Sequence, residues 1–142
     1  MKAVEQFINE LEKNGIKVDH NTTGEGENKR EIVHMGVSGN NFSGLHFNIV
    51  FDPEGSFSAQ MFCNEICKVP EAKNLIILQT VNALNAKYRW VAFYVTADGS
   101  VTANMSFEFN DNKPEDLIAS YLRHFYGIID TAYPILMKAL YA

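Results

Sequence analysis

The sequence predicts a single α+β domain spanning residues 1–142, an antiparallel five-stranded sheet with three helices in the order α-β-β-β-α-β-β-α. Three observations carry this. Segments of alternating polar and apolar residues are joined by links too short for parallel crossovers. Three other segments carry apolar residues at helical spacing. Asp98-Gly99, between two apolar runs, is a strong hairpin signal. With 142 residues, 46% hydrophobic and 12% aromatic, the chain has the size of one domain and the material for a real core.

The elements follow in order. Val4, Phe7, Ile8 and Leu11 mark the first helix, and Gly15 stands where a left-handed cap would end it. "DHNTTGEGENKR", residues 19–30, is polar with two glycines and reads as a loose surface loop. Val33, Met35 and Val37 share one face of the first strand, and Leu45, Phe47, Ile49 and Phe51 one face of the second. "DPEG", residues 52–55, suits a type I turn with a glycine bulge; it would set Asp52 opposite Ser56 and align Phe57, Ala59, Met61 and Cys63 with the apolar face. The second helix follows Pro70 and would bury Leu75, Leu78, Val81 and Leu84. The third begins at Pro114 with a stripe of Leu117, Tyr121, Phe125 and Ile128, and Pro134 should kink or restart it.

The hairpin around Asp98-Gly99 raises the functional question. A two-residue type I′ loop pairs Ala97 with Ser100, so that Tyr94 faces Ala103, Ala92 faces Met105 and Trp90 faces Phe107 on an apolar side. The other side pairs Val95 with Thr102, Phe93 with Asn104, Val91 with Ser106 and Arg89 with Glu108. Val91, Phe93 and Val95 then form a stripe on the second face of the sheet, where Ile32, Val50, Phe62 and Ile66 also fall. A helix of the chain, a second copy or another protein must cover such a patch. Val91, Phe93, Val95, Phe62 and Val50 are the candidate partner or dimer surface.

Signals for chemistry are absent. A net charge of −5 and a pI near 5.3, with scattered basic residues, argue against nucleic-acid and anionic-membrane binding. Cys63 and Cys67, four apart on one strand, would lie roughly 13 Å apart at ~3.3 Å per residue, too far for a disulfide. With an acidic N-terminal segment in place of a signal peptide, they suggest the cytoplasm. His34 and His46 could meet across the first hairpin, but no third ligand stands at fixed spacing, so a metal is not expected. Glu25, Glu27 and Glu31 lack the pattern of a calcium loop, while Glu115 and Asp116 suit a helix N-terminus. No phosphate-binding glycine loop or nucleophile turn is present. The residues predict no catalytic, cofactor or metal site.

"NALNAKYRWVAFYVTADGS" (82–100) and "IIDTAYPILMKAL" (128–140) carry a resemblance. A helix ending in Leu84-Asn85, the Asp98-Gly99 hairpin and the Asp-x-x-Tyr-Pro motif at Asp130, Tyr133 and Pro134 resemble the YbjN family of bacterial sensory transduction regulators. The match is good from about residue 70 onward and rests on element order before it. The element order is also similar to the type III secretion chaperone fold. The resemblance implies a small acidic cytoplasmic protein that binds other proteins, commonly as a homodimer, without catalytic residues. The leading expectation is thus a non-enzymatic chaperone-like or regulatory binding module of a bacterial cytoplasm, its partner itself or another protein. The alternative is a small-molecule sensor with a pocket between the sheet and the C-terminal helix.

Overall fold

A computed structural model describes residues 2–142. Three helices, α1 (Ala3–Lys13), α2 (Asn74–Lys87) and α3 (Pro114–Leu140), pack on an antiparallel sheet of β1 (Asp19–Thr23), β2 (Arg30–Val37), β3 (Leu45–Phe51), β4 (Ser58–Lys68), β5 (Ala92–Val95) and β6 (Ser100–Glu108). The strand order is β1-β2-β3-β4-β6-β5, so the sheet has six strands where the sequence predicts five. The extra strand is "DHNTT", whose five residues are all exposed. Its backbone pairs with β2 from Asp19 opposite His34 to Thr23 opposite Arg30, but it buries no side chain and so leaves no alternation to read.

The helices share one face of the sheet. Leu45, Phe47, Ile49 and Phe51 alternate with half-buried or exposed residues along β3, and the inner set meets the helices. The Phe47 ring lies edge-on to Phe125 of α3 at 5.2 Å, and Phe51 packs against Phe7 of α1 at 6.2 Å. α2 lies beside them, against α3 and β5. Across the opposite face run Ile32, Val50, Phe62 and Tyr94 among His34, Asn48, Gln60, Asn104 and Ser106, half-buried or exposed.

Turn chemistry decides the registers. Around "DPEG" the chain uses a longer loop: the Asp52 N–H donates to Ser58 O at 3.0 Å and Phe51 stands opposite Ala59. The offset from the expected pairing is two residues, an even number, so Ala59, Met61 and Cys63 still face the core. Phe57 does not: it lies outside the strand, left-handed at φ +52° and 41% exposed.

At Asp98-Gly99 the offset is one residue. The Thr96 N–H donates to Ser100 O at 2.8 Å and Gly99 N–H to Thr96 O at 3.0 Å, leaving a three-residue loop, Ala97-Asp98-Gly99. Of these residues only Gly99, at φ +81°, is left-handed, whereas a type I′ turn needs two. The Thr96 hydroxyl holds the loop through the Asp98 carboxylate and the Ser100 N–H. An odd slip exchanges the faces. Phe93 therefore stands opposite Ala103 and Val95 opposite Val101, on the core side, and Tyr94 opposite Thr102 on the outer side. Trp90, left-handed at φ +70°, keeps the strand from starting before Ala92, so the Arg89–Glu108 pairing does not form.

The helices differ from expectation in detail. Pro70 opens a 3₁₀ turn, Glu71–Lys73, and α2 begins after it. α2 buries Ile77, Val81 and Leu84; Leu75 and Leu78 point outward. The buried stripe of α3 runs through Ile118, Phe125, Ile129, Ala132 and Leu136, with Leu117 and Tyr121 only half-buried beside it. α3 continues unbroken through Pro134.

Candidate functional site

Three residues of the predicted partner surface turn inward. Phe93 is 2% exposed and Val91 3%, while Val95 is half-buried against the core. The slipped hairpin register moves Phe93 and Val95 from the outer face to the core. Val50 and Phe62 lie on the open face as expected, half-buried. Ile66, expected beside them, is buried at a bulge of β4, where Glu65 is left-handed and two extra residues separate the Cys63–Ala103 and Cys67–Val101 pairs.

The two most exposed large apolar residues on a helix or strand both lie on α2. Leu75 is 70% exposed, Leu78 45%, and Ile76 beside them is also open. From Asn74 to Ala86 the helix carries no charged residue; its exposed positions are otherwise Asn74, Gln79, Asn82, Ala83, Asn85 and Ala86. An ordinary surface helix sets charged residues opposite its buried stripe. The Lys73 ammonium donates to the Ala142 carbonyl oxygen at 2.6 Å, which brings the C-terminus and the open Tyr141 ring to the start of α2. Beyond its end Trp90, 71% exposed, rests its ring 5.5 Å from His124 of α3. One sequence signal pointed here: Leu75-Ile76-Ile77-Leu78 covers a full helical turn, and a single buried stripe cannot hold all four.

The residues that carry the family resemblance are structural ties. The Asn85 side chain meets β5 as a strand would, its Nδ2 donating to Phe93 O at 2.9 Å and its Oδ1 accepting from Phe93 N–H at 2.8 Å. That occupies the outward backbone groups of Phe93 on the edge strand β5. Pro134 has no N–H for the carbonyl of Asp130 four residues earlier. Asn41 supplies the missing donor: its Nδ2 reaches Asp130 O at 3.0 Å, and its backbone N–H donates to the Asp130 carboxylate at 2.8 Å. Gly39 is needed beside this clamp because a Cβ there would run into the same carboxylate. Phe42, from the same loop, packs its ring against Phe47, Tyr126 and Tyr133.

Cys63 is fully buried, and loss of hydration pushes its thiol up to about 12, while burial also raises Cys67; both are free. His34 hydrogen-bonds Asn48, and His46 stands opposite Gly36, so the two histidines do not pair. His20 instead meets Glu31 at 3.0 Å. Among the described residues no cluster of three or more His, Cys, Asp or Glu could hold a metal, and no helix is long and apolar enough to cross a membrane.

No curated protein and no solved structure matches the chain. One family does, described as "Putative bacterial sensory transduction regulator", over residues 41–136. That stretch begins at Asn41 and takes in Asn85, Asp130 and Pro134, the residues that tie the loop, the sheet edge and the last helix together. The chain belongs to the YbjN family.

Proposed function

We propose that this protein is a non-enzymatic regulatory module of the bacterial cytoplasm that acts by binding protein, first of all a second copy of itself through the outer face of α2. The observation that carries this reading is the exposure of Leu75, Ile76 and Leu78 on a helix with no charge from Asn74 to Ala86. Each large aliphatic side chain withdrawn from water contributes about 1.5–3 kcal/mol, so such groups favour a covered state.

The choice of a second copy rests on electrostatics. In a two-fold contact, residues near the axis meet their own copies, and any charge there faces a like charge. The chain carries −5 overall, so two copies repel except where a surface is free of charge. The outer face of α2 meets that condition from Asn74 to Ala86.

The chaperone-like character of the fold and its cytoplasmic setting belong to the same proposal. A sheet with helices on one face and the other open suits a protein that holds an extended peptide, and Val50 and Phe62 on the open face would be the apolar part of that contact. Two buried free thiols fit a reducing compartment. The test is the paired substitution Leu75→Glu and Leu78→Glu: a dimer should become a monomer with its circular dichroism unchanged, because neither side chain is core. A dimer that survives both charges would place the contact elsewhere.

A further inference from the structure

At the end of the sheet nearest the starts of α1 and α3, the chain surrounds a groove of about 890 Å³. That volume lies in the range of small-molecule sites. Its position differs from the pocket expected between the sheet and the C-terminal helix: only Pro114, the first residue of α3, takes part.

The apolar wall is aromatic. Phe51, Phe57 and Phe109 line the groove, with Phe109 centred 6.1 Å from Phe51 and 6.0 Å from Phe57. Phe57 is held in a left-handed conformation that costs a non-glycine residue about 1 kcal/mol or more. Its backbone carbonyl is anchored by the Phe109 N–H at 2.9 Å, while its ring stays 41% exposed. Strain borne by a residue that presents an open ring to a cavity is a mark of a binding position.

The rim is acidic. Five carboxylates and two ammonium groups line the groove among the described residues. Glu54 is met by Lys2 at 4.0 Å, Asp52 by Arg30 at 3.5 Å, and Glu31 by His20 at 3.0 Å. Among the described residues, Glu27 and Asp111 have no such partner. The two helix N-termini nearby would favour an anion, each with about half a positive charge, but their first turns already hold Glu5 and, on α3, Glu115 and Asp116.

We propose that this groove binds a small organic cation with an aromatic or alkyl body, its ammonium at the acidic rim and its body against Phe57 and Phe109. Aromatic faces attract such a cation in addition to burying its apolar part. The site is distinct from the self-association surface, since no residue of α2 lines it.

The probe is 2-phenylethylammonium, with phenylacetate as an anion of the same shape, followed by amide NMR titration of the full chain. The expected result is saturable shifts confined to the groove at millimolar probe, the range proper to so few heavy atoms. Phenylacetate should bind at least about tenfold more weakly, and added salt should weaken the cation's binding. Phe57→Gly should also weaken it at least about tenfold while keeping or raising the melting temperature, because glycine accepts the left-handed backbone. Phenylacetate binding as well as the cation, an unaltered affinity in Phe57→Gly, or no shifts at the groove would each overturn the proposal.

Discussion

At the residue scale, Cys63 and Phe93 show how far pattern reading reaches. Alternation along β4 placed Cys63 in the core, and the structure buries it completely. The same alternation along β5 placed Phe93 outside, because the parity of a strand depends on its turn, and a loop of two residues or three was not decided by Asp98-Gly99 alone. Phe93→Asp should therefore unfold the protein, costing about 4 kcal/mol or more, the scale of an unpaired buried charge; a folded but dissociated variant would contradict its place in the core. Cys63 gives a pH prediction. Its thiol is pushed up to about 12 in the fold, so above the ordinary thiol range the unfolded chain loses a proton that the native chain keeps. Stability should fall between about pH 9 and 12, by up to about 1.4 kcal/mol per pH unit from this group. Denaturant titrations across that range should show a smaller fall in Cys63→Ala, and native Cys63 should resist alkylation near pH 8.

At the element scale, α3 is the element most tied by motif residues. Pro134 was legible as a helix breaker, but its compensation was not, since Asn41 lies on a loop 89 residues from Asp130. The helix stays whole because the orphaned carbonyl of Asp130 finds that side chain. Removing the Asn41 side chain should cost about 1 kcal/mol, the net contribution of a part-buried hydrogen bond. In a Pro134→Ala background the restored backbone N–H can satisfy the same carbonyl, so the cost of Asn41→Ala should shrink, and a double-mutant cycle in thermal unfolding measures the difference. Equal costs in both backgrounds would contradict the clamp. Asn85 plays the matching part for β5; Asn85→Ala should loosen that edge, seen as faster amide exchange at Phe93 than at Val101. β1 was illegible for a different reason: a fully exposed polar edge strand is specified by backbone pairing, which leaves no trace in residue type.

At the scale of the whole molecule, the α+β class, the three helices and the antiparallel meander could be read from periodicity, because each depends on which residues seek the core. The surface that answers to a partner could not be read that way. It depends on which apolar residues the core leaves over, and only the docking angle of α2 decides that Ile77 goes in while Leu75 and Leu78 stay out. The expectation of self-association thus survives as a proposal, with its location moved from the sheet to the helix. The most direct test is the absolute mass in solution by light scattering after size exclusion, over a range of concentrations, beside the Leu75→Glu, Leu78→Glu variant. The account predicts a wild-type mass near twice 16.0 kDa and a folded variant at the single-chain mass. A wild-type monomer at every concentration, or a variant that remains a dimer, would contradict it.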